Sequence, residues 1–207
     1  EEKKEQIPDY ETFINTNNLS KKPIIALLSG SRKQEIARLL SAMLQQIKHF
    51  PDYQFVLAAV PSIDISFYQQ FTSGFPVKIL VDKTYSVLKH AEAAIVTSGT
   101  ATLETAILNV PEVVCYKTGL ITYHIGKHLV NVPFFSLVNL IMEQEVVKEL
   151  LQFNLEEEIR QELNKLLFDK EYRKNLLENY AKLREKLGKT GASQRTAKAI
   201  VGELTKQ

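Results

Sequence analysis

The sequence predicts an α/β fold, a Rossmann-like parallel sheet with helices on both faces, followed by C-terminal helices. Short apolar runs of four to eight residues, mostly unbroken by polar residues, alternate with stretches whose apolar residues recur at helical spacing. Unbroken runs are typical of strands buried on both faces. Prolines fall between these elements, at Pro51, Pro61, Pro76 and Pro111. Because a strand, a helix and a second strand join as a right-handed unit, the sheet should be parallel.

The apolar runs and the helical patterns give the expected order of elements. Strands are predicted at residues 24–28, 53–60, 77–81, 93–96 and 113–116, with helices at 34–47, 65–71, 85–89 and 102–108. From residue 155 leucines and tyrosines follow helical spacing among many charges, and after Gly188 and Gly191 a last helix is expected at 192–204. We therefore expect a linker or extension at 1–21, a Rossmann-like domain at 22–154 and a helical appendage at 155–207.

Composition narrows the class of protein. A net charge of +2 and an isoelectric point near 8.5 give no concentrated basic surface, which argues against nucleic acid as a partner. The single cysteine, Cys115, lies in an apolar run and is expected to be a buried strand residue. One cysteine cannot form an internal disulfide, which fits a reducing, cytoplasmic location. No apolar stretch approaches the roughly 18 residues needed to span a bilayer.

Two loops are expected at the carboxyl edge of the sheet, where open parallel sheets bind ligands. The first, Ser29-Gly30-Ser31-Arg32, follows the first strand. Glycine allows close approach of the backbone, serine can bond a phosphate oxygen, and arginine offers a fork of donors that matches phosphate. Taken alone, this segment is equally an ordinary turn with an exposed arginine.

The second loop follows the fourth predicted strand and opens a helix with small hydroxyl residues and a glycine. Ser98, Gly99, Thr100 and Ala101 would direct hydroxyls and backbone N–H groups at one point, an anion cradle without a side-chain cation. Glu104, one turn later, could accept hydrogen bonds from ribose hydroxyls. The alternative for Glu104 is a first-turn acid that favours the helix dipole.

Together the two loops indicate a nucleoside diphosphate held mainly by backbone and hydroxyl groups. Neither a Walker lysine motif nor the Gly-x-Gly-x-x-Gly dinucleotide fingerprint is present. We predict no cofactor and no metal. His124 and His128 are four residues apart, but no third ligand is evident, which favours a structural or surface role for both.

These motifs resemble the C-terminal half of the lipid-A-disaccharide synthase family. The resemblance runs from about residue 22 to the end of the chain and is carried by three blocks. The Ser-Gly-Thr-x-Thr-x-Glu loop is shared by many transferases with two Rossmann domains, whereas the third block is much more specific. The blocks are Leu27-Leu28-Ser29-Gly30-Ser31-Arg32-x-x-Glu35, Ser98-Gly99-Thr100-Ala101-Thr102-Leu103-Glu104, and Val132-Pro133-Phe134-Phe135-Ser136-Leu137-Val138-Asn139-Leu140 with residues 145–152.

The resemblance implies a glycosyltransferase of two Rossmann domains, of which residues 22–154 would be the UDP-sugar-binding one. UDP-2,3-diacylglucosamine would donate its sugar to 2,3-diacylglucosamine 1-phosphate, giving the disaccharide phosphate and UDP. Gly30, Ser31 and Arg32 would meet the diphosphate or the acceptor phosphate, with Arg32 the candidate catalytic residue. Ser98, Gly99, Thr100 and Ala101 would cradle the donor diphosphate, Glu104 would bind the ribose, uracil would lie near residues 81–85, and Asn139, Glu145 and Gln152 would line the donor side of the cleft.

The chain departs from the family pattern at two places. Val138 stands where the family usually has proline, and Met142-Glu143-Gln144 stands where it usually has Ala-Gly-Arg. Without that arginine, an anion-binding role for position 144 is in doubt.

The resemblance implies that the family's N-terminal half, with its acceptor site and catalytic base, is not part of these 207 residues. We therefore expect the chain to bind UDP weakly and to catalyse no transfer alone. The apolar stretch 120–135 could contact acyl chains, the inner-membrane surface or the missing domain, and the C-terminal helices could pack on that domain or form a homodimer. Two alternatives remain: another UDP-sugar enzyme of this fold, such as a 2-epimerase or a different transferase, or a non-catalytic nucleotide-binding module.

Overall fold

A computed structural model describes residues 7–117, 134–151 and 154–188 of the chain. These residues form one parallel sheet of six strands with helices on both faces, as the sequence predicts. The strands are β1 (Ile24–Leu28), β2 (Gln54–Ala59), β3 (Val77–Val81), β4 (Ala91–Thr97), β5 (Glu112–Tyr116) and β6 (Lys148–Leu151).

The helices occupy the connections between strands and the C-terminal part of the described chain. A 3₁₀ turn at Gln45–His49 extends the second helix. The helices are α1 (Tyr10–Thr16), α2 (Lys33–Leu44), α3 (Ile65–Thr72), α4 (Thr84–Lys89), α5 (Thr100–Ile107), α6 (Leu137–Met142), α7 (Leu155–Phe168) and α8 (Lys170–Leu187).

The strands are arranged in the order β3-β2-β1-β4-β5-β6, and every pairing is parallel. The chain moves outward from β1 to β3, returns beside β1 as β4, and then moves outward in the opposite direction. The direction of winding therefore reverses between β1 and β4, which makes this position the topological switch point of the sheet.

Both faces of the sheet are buried, which explains the unbroken apolar runs in the sequence. Along β1, Ile25 and Leu27 pack on one face against α2, α3 and α7. Ile24, Ala26 and Leu28 pack on the other face against α1 and α4. All five side chains are at most 5% exposed, so every position of the strand is selected for apolar character.

The predicted apolar faces of the C-terminal helices are confirmed. In α7, Ile159, Leu163 and Leu166 are buried, and in α8 so are Tyr180 and Leu183. They join the same hydrophobic cluster as the sheet, so α7 and α8 cover one of its faces. The domain division after residue 154 stays a prediction.

Three short elements were not predicted from the sequence. Strand β6 is a four-residue edge strand of Lys, Glu and two Leu, residues with good helix propensity, and its pairing with β5 determines its conformation. Helix α1 begins after the Asp9 cap and buries Phe13 and Ile14. Helix α6 is only six residues long and begins after Ser136, whose side chain accepts a hydrogen bond from the backbone of Asn139.

Helix α6 is fixed to β6 by a buried polar network. The Asn139 side chain is fully buried; its Oδ1 accepts hydrogen bonds from the N–H groups of Val146 (2.7 Å) and Val147 (2.9 Å). Its Nδ2 donates to the carbonyl of Val147 and to Glu149, each at 2.9 Å. Glu149 also accepts from the N–H groups of the residues that precede α6. The amide of Asn139 is thus fully committed inside the chain.

The two departures from the family pattern lie at the two ends of α6. Val138 is a buried first-turn residue of α6, a position that tolerates proline because first-turn N–H groups lack intrahelical partners. Glu143 ends α6 with φ 57°, the left-handed conformation that glycine adopts most readily, and its carboxylate lies 3.7 Å from Lys186. The chain therefore keeps, with glutamate, the left-handed backbone conformation for which the glycine expected from the family is suited.

Several sequence predictions fall outside the described residues. They concern His124, His128, Gln152, most of the apolar stretch 120–135 and the last helix at 192–204. Among the helices that the structure describes, none has the length and apolar character needed to cross a bilayer.

A buried carboxyl lies where α8 packs against the sheet. Glu112, at the start of β5, is fully buried, and the Tyr180 hydroxyl lies 3.4 Å from its Oε1. Within the described residues, its Oε2 has no hydrogen-bond partner. Burial raises the pKa of Glu112 well above its usual range, and the hydrogen bond from Tyr180 only partly opposes this. The folded protein therefore favours the protonated carboxyl.

The raised pKa of Glu112 predicts that folding stability falls as pH increases. Below the unfolded-state pKa of about 4.3 the carboxyl is protonated in both states; above it only the folded state keeps the proton. The contribution of Glu112 to the free energy of unfolding should therefore decrease with rising pH until the folded carboxyl also ionises. Glu112→Gln should remove this decrease and give the more stable protein at pH 8, as measured by urea unfolding between pH 4 and 8.

A matched control is Glu178→Gln, which changes an exposed carboxylate on α8. It should leave the pH dependence of the wild-type protein unchanged. The account of Glu112 is contradicted if Glu112→Gln and Glu178→Gln give the same stability profile.

Candidate functional site: a cleft at the switch point

The two loops predicted to bind the ligand lie side by side at the carboxyl edge of the sheet. Strands β1 and β4 are hydrogen-bonded neighbours, with Leu28 beside Val96 at their carboxyl ends. One loop leads from β1 into α2 and the other from β4 into α5. Because winding reverses between these strands, the two connections diverge and leave a crevice between them.

A cavity of about 420 Å³ occupies this crevice. Every candidate predicted in the two loops and in the first turns of α5 lines it. The structure adds Glu35 and Thr97, which the sequence-based list of binding residues did not include, and Thr84 from the loop that was expected near the uracil. The candidates that meet here are Gly30, Ser31, Arg32, Ser98, Gly99, Thr100, Ala101 and Glu104.

The second loop presents the amino-terminal end of a helix to the cavity. Helix α5 begins at Thr100, and among the residues that the structure describes no side chain caps its first turn. A Cβ atom on Gly99 would meet no atom within 4 Å, so the backbone of the loop faces open space. Uncapped N–H groups and the helix dipole give this end a partial positive charge, which suits an anionic group.

Two buried hydroxyl groups lie at the carboxyl ends of β1 and β4. Ser29 and Thr97 follow Leu28 and Val96 directly, and they are 1% and 5% exposed. Among the described residues, neither hydroxyl has a hydrogen-bond partner. Their position just beyond apolar strand runs is the sequence signal that could have identified them.

Glu104 is the acidic residue of the cleft. Its side chain is half-buried, and burial raises the pKa of its carboxyl, whereas a hydrogen bond from the Tyr85 hydroxyl lowers it. The neighbouring residue Thr84 lines the same cavity, so the loop predicted to lie near the base borders the cleft. A carboxylate in this setting can accept hydrogen bonds from ligand hydroxyls.

The first loop differs from the expectation that its backbone is free for a phosphate. The carboxylate of Glu35 accepts the N–H groups of Ser31 (3.1 Å) and Arg32 (3.3 Å) and pairs with the Arg32 guanidinium (3.1 Å). These two backbone donors are therefore already used inside the chain. What the loop still offers a ligand is mainly the Arg32 side chain, which is 81% exposed.

The side chains that line the cleft carry no excess of positive charge before a ligand binds. Arg32 is the one cation among the described residues that line it, beside the carboxylates of Glu35 and Glu104. Attraction for an anion must therefore come mainly from the end of α5 and from Arg32.

The remaining candidates are not brought to this cleft. Asn139 is buried in the network that joins α6 to β6 and does not line the cavity. Glu145 pairs with Lys148 at 2.9 Å and borders a separate cavity of about 340 Å³ between β6 and α8. Gln152 lies outside the described residues. A ligand role for Asn139 and Glu145 at the switch point therefore has no support from these positions.

A larger cavity lies elsewhere in the described chain. It measures about 750 Å³ and lies near the amino-terminal ends of β2 and β3, lined by side chains such as Leu19, Tyr53 and Phe75. Its lining also includes three lysines, but no described helix begins at this cavity, which lies at the opposite edge of the sheet from the switch point. We therefore take the switch-point cleft as the candidate site, because a helix end, Arg32 and Glu104 meet there, although the other cavity is larger.

Two expectations about metals and thiols can be compared with the structure. Within the described residues, no group of three or more His, Cys, Asp or Glu side chains is placed to bind a metal ion. Cys115 is fully buried in β5, as predicted, and burial raises the pKa of its thiol. It is therefore a core residue with no part in the cleft.

Comparison with solved structures supports the fold. The glycotransferase of kitacinnamycin superposes with a TM-score of 0.56 at 14% identity, over 88% of this chain and 43% of that one. The UDP-GlcNAc 2-epimerase from Neisseria meningitidis, solved with UDP-GlcNAc, superposes with a TM-score of 0.53 at 17% identity, over 95% of this chain and 47% of that one. At these identities the similarity establishes the fold alone.

Comparison of sequences is more specific. Lipid-A-disaccharide synthase from Myxococcus xanthus is 37% identical over 95% of this chain and 54% of its own length. The enzyme from Syntrophus aciditrophicus is 38% identical over 84% of this chain and 47% of its own length. The chain thus spans about half the length of the curated relatives it matches.

The profile of one protein family, described as lipid-A-disaccharide synthetase, matches residues 4–201, nearly the whole sequence. This match covers both loops of the cleft, the network around Asn139 and the C-terminal helices. On this match, and on the identities to the curated relatives, the chain belongs to the lipid-A-disaccharide synthetase family.

Proposed function

We propose that this chain binds the UDP part of a UDP-linked sugar at the switch point, as the donor half of a glycosyltransferase. The observation that carries the proposal is the convergence of an uncapped helix end, Arg32 and Glu104 on one cavity. The helix end and Arg32 suit the negative charge of a diphosphate, and Glu104 suits the hydroxyl groups of a ribose.

The diphosphate would lie against the first turn of α5. Gly99, Thr100 and Ala101 would supply backbone donors, and Thr100 would add a hydroxyl group. The hydroxyl of Ser98 donates to the carbonyl of Phe135 (3.1 Å), so Ser98 would contribute mainly by shaping the loop. The positive end of the helix stabilises the charge that appears on UDP when the glycosidic bond breaks, which is where catalysis by this half is needed. Arg32 would neutralise part of the same charge from the opposite wall of the cleft.

Glu104 would orient the nucleoside. Its carboxylate, half-buried in the first turns of α5, can accept both ribose hydroxyls while the neighbouring loop at residues 81–85 approaches the base. A half-buried carboxylate strengthens these hydrogen bonds because less water competes for it. This arrangement selects a ribonucleotide, and it requires no metal ion.

By its family, the whole protein would transfer the diacylglucosamine of UDP-2,3-diacylglucosamine to 2,3-diacylglucosamine 1-phosphate. Transfer also needs a base for the acceptor hydroxyl. We propose that the base and the lipid-acceptor site belong to a region that the relatives have and this chain does not match. Contact with the inner membrane and a homodimer through the C-terminal helices remain predictions of the same proposal.

A UDP-sugar 2-epimerase is the alternative enzyme on this fold, since one such structure, solved with UDP-GlcNAc, shares the architecture. Both enzymes would hold a UDP-sugar at the same edge of the sheet. Membership of the lipid-A-disaccharide synthetase family favours transfer over epimerisation.

Nucleotide binding can be tested by calorimetric titration of the chain with UDP. Glu104→Gln keeps the size of the side chain but removes its charge, so the variant should bind UDP about tenfold more weakly, because hydrogen bonds to charged groups contribute roughly 1.5–3 kcal/mol. Glu145→Gln is the matched control: it changes a carboxylate that borders a different cavity and should bind UDP like the wild type.

Equal loss of affinity in Glu104→Gln and Glu145→Gln would contradict the assignment of the ribose site. So would the absence of UDP binding both in this chain and in a protein of the relatives' full length.

Sugar transfer should require more than this chain. Incubated with the UDP-sugar donor and the lipid acceptor, the 207-residue chain should release no UDP and form no disaccharide, as followed by mass spectrometry. A full-length relative assayed alongside provides the positive control. Detectable disaccharide from the 207-residue chain alone would show that the catalytic base lies within it.

A further inference from the structure

We infer that Glu35 is a positioning residue that holds Arg32 ready for the ligand. The inference rests on the proposed function and deepens it, because it concerns the first wall of the same cleft. It rests on the hydrogen bonds that the Glu35 carboxylate accepts from the loop between β1 and α2.

Three donors from two consecutive residues converge on the Glu35 carboxylate. Its Oε2 accepts the N–H groups of Ser31 (3.1 Å) and Arg32 (3.3 Å), while its Oε1 lies 3.1 Å from a terminal nitrogen of the Arg32 guanidinium. The carboxylate thus does for this loop what a bound anion would do: it collects the backbone donors and orders the side chain above them.

The loop fits closely around this carboxylate. Gly30 has φ +104°, a conformation that side chains rarely adopt, and a Cβ atom there would lie 2.5 Å from Oε2 of Glu35. It would also lie 2.8 Å from the Cβ atom of Glu35. Glycine at this position is therefore required for the carboxylate to reach the backbone.

The same geometry keeps Arg32 available. The Glu35 side chain is 26% exposed and lines the cavity, whereas the Arg32 side chain is 81% exposed. A guanidinium has five N–H donors, and the pairing with Glu35 leaves most of them free. Because one edge is already held, less rotamer freedom is lost when the other edge binds a phosphate.

The test is a double-mutant cycle measured by UDP titration of this chain. Arg32→Ala should weaken binding about tenfold, as expected for loss of a charged hydrogen bond. Glu35→Ala should also weaken binding, but the double variant should bind no more weakly than Arg32→Ala alone. Glu35→Gln, which keeps one acceptor oxygen, should lie between the wild type and Glu35→Ala.

The outcomes separate this inference from the proposed function. Tighter UDP binding by Glu35→Ala or Glu35→Gln would mean that the carboxylate competes with the ligand, and would overturn the inference. An equal loss caused by Glu35→Ala with and without Arg32 would show an effect that does not pass through Arg32, and would also overturn it. In both cases UDP binding that depends on Glu104 would leave the proposed function standing; its absence would remove both.

Discussion

The reversal of winding between β1 and β4 is the constraint on which the rest of this structure depends. All strands of the sheet are parallel, so every βα connection leaves at the same edge. At most positions the adjacent connections leave on the same side and pack against each other. At the switch point they diverge, and a cleft forms without any special loop. The core on both faces fixes β1 and β4, and therefore fixes the distance between the two loops.

The chemistry of the cleft follows from what each loop contributes. On one side α5 presents an uncapped helix end, whose positive potential comes from the backbone itself. On the other side Glu35 uses the backbone donors of its loop and leaves the Arg32 side chain exposed. In the proposed complex, one wall would therefore bind an anion through main-chain groups and the other through a single arginine. The free cleft has no excess of positive side-chain charge, because the carboxylates of Glu35 and Glu104 outnumber the single guanidinium of Arg32.

Much of the fold follows from the sequence because burial on both faces leaves a strong signal. The bounds of β1 and β3 agree with the predicted strands, and the switch-point loops stand directly after β1 and β4. Strand β6 escaped prediction because it is four residues long and its conformation depends on pairing with β5. The roles expected for Asn139 and Glu145 came from resemblance alone. Nothing local distinguishes a buried amide that joins two segments from one that faces a ligand.

Glu35 is the opposite case, a residue that the sequence analysis did not select and that the structure places in the cleft. The sequence indicates an acid three residues after Arg32, a spacing that could cap a helix or lie idle on its surface. Only the folded structure shows that both of its oxygens accept hydrogen bonds and that a side chain at Gly30 would collide with it. Spacing along the chain predicts which groups can come close, but the packing of the folded chain determines which donors bind the Glu35 carboxylate.

The most direct test of the switch-point site is a two-dimensional ¹H–¹⁵N NMR titration of this chain with UDP. The account predicts that the amide signals of Ser31, Arg32 and the first turn of α5, from Gly99 to Thr102, shift together and saturate. The signals of Val146 and Val147, which bond to Asn139, should stay in place. Saturable shifts centred on the apolar cavity near Tyr53 and Phe75, with none in α5, would contradict it.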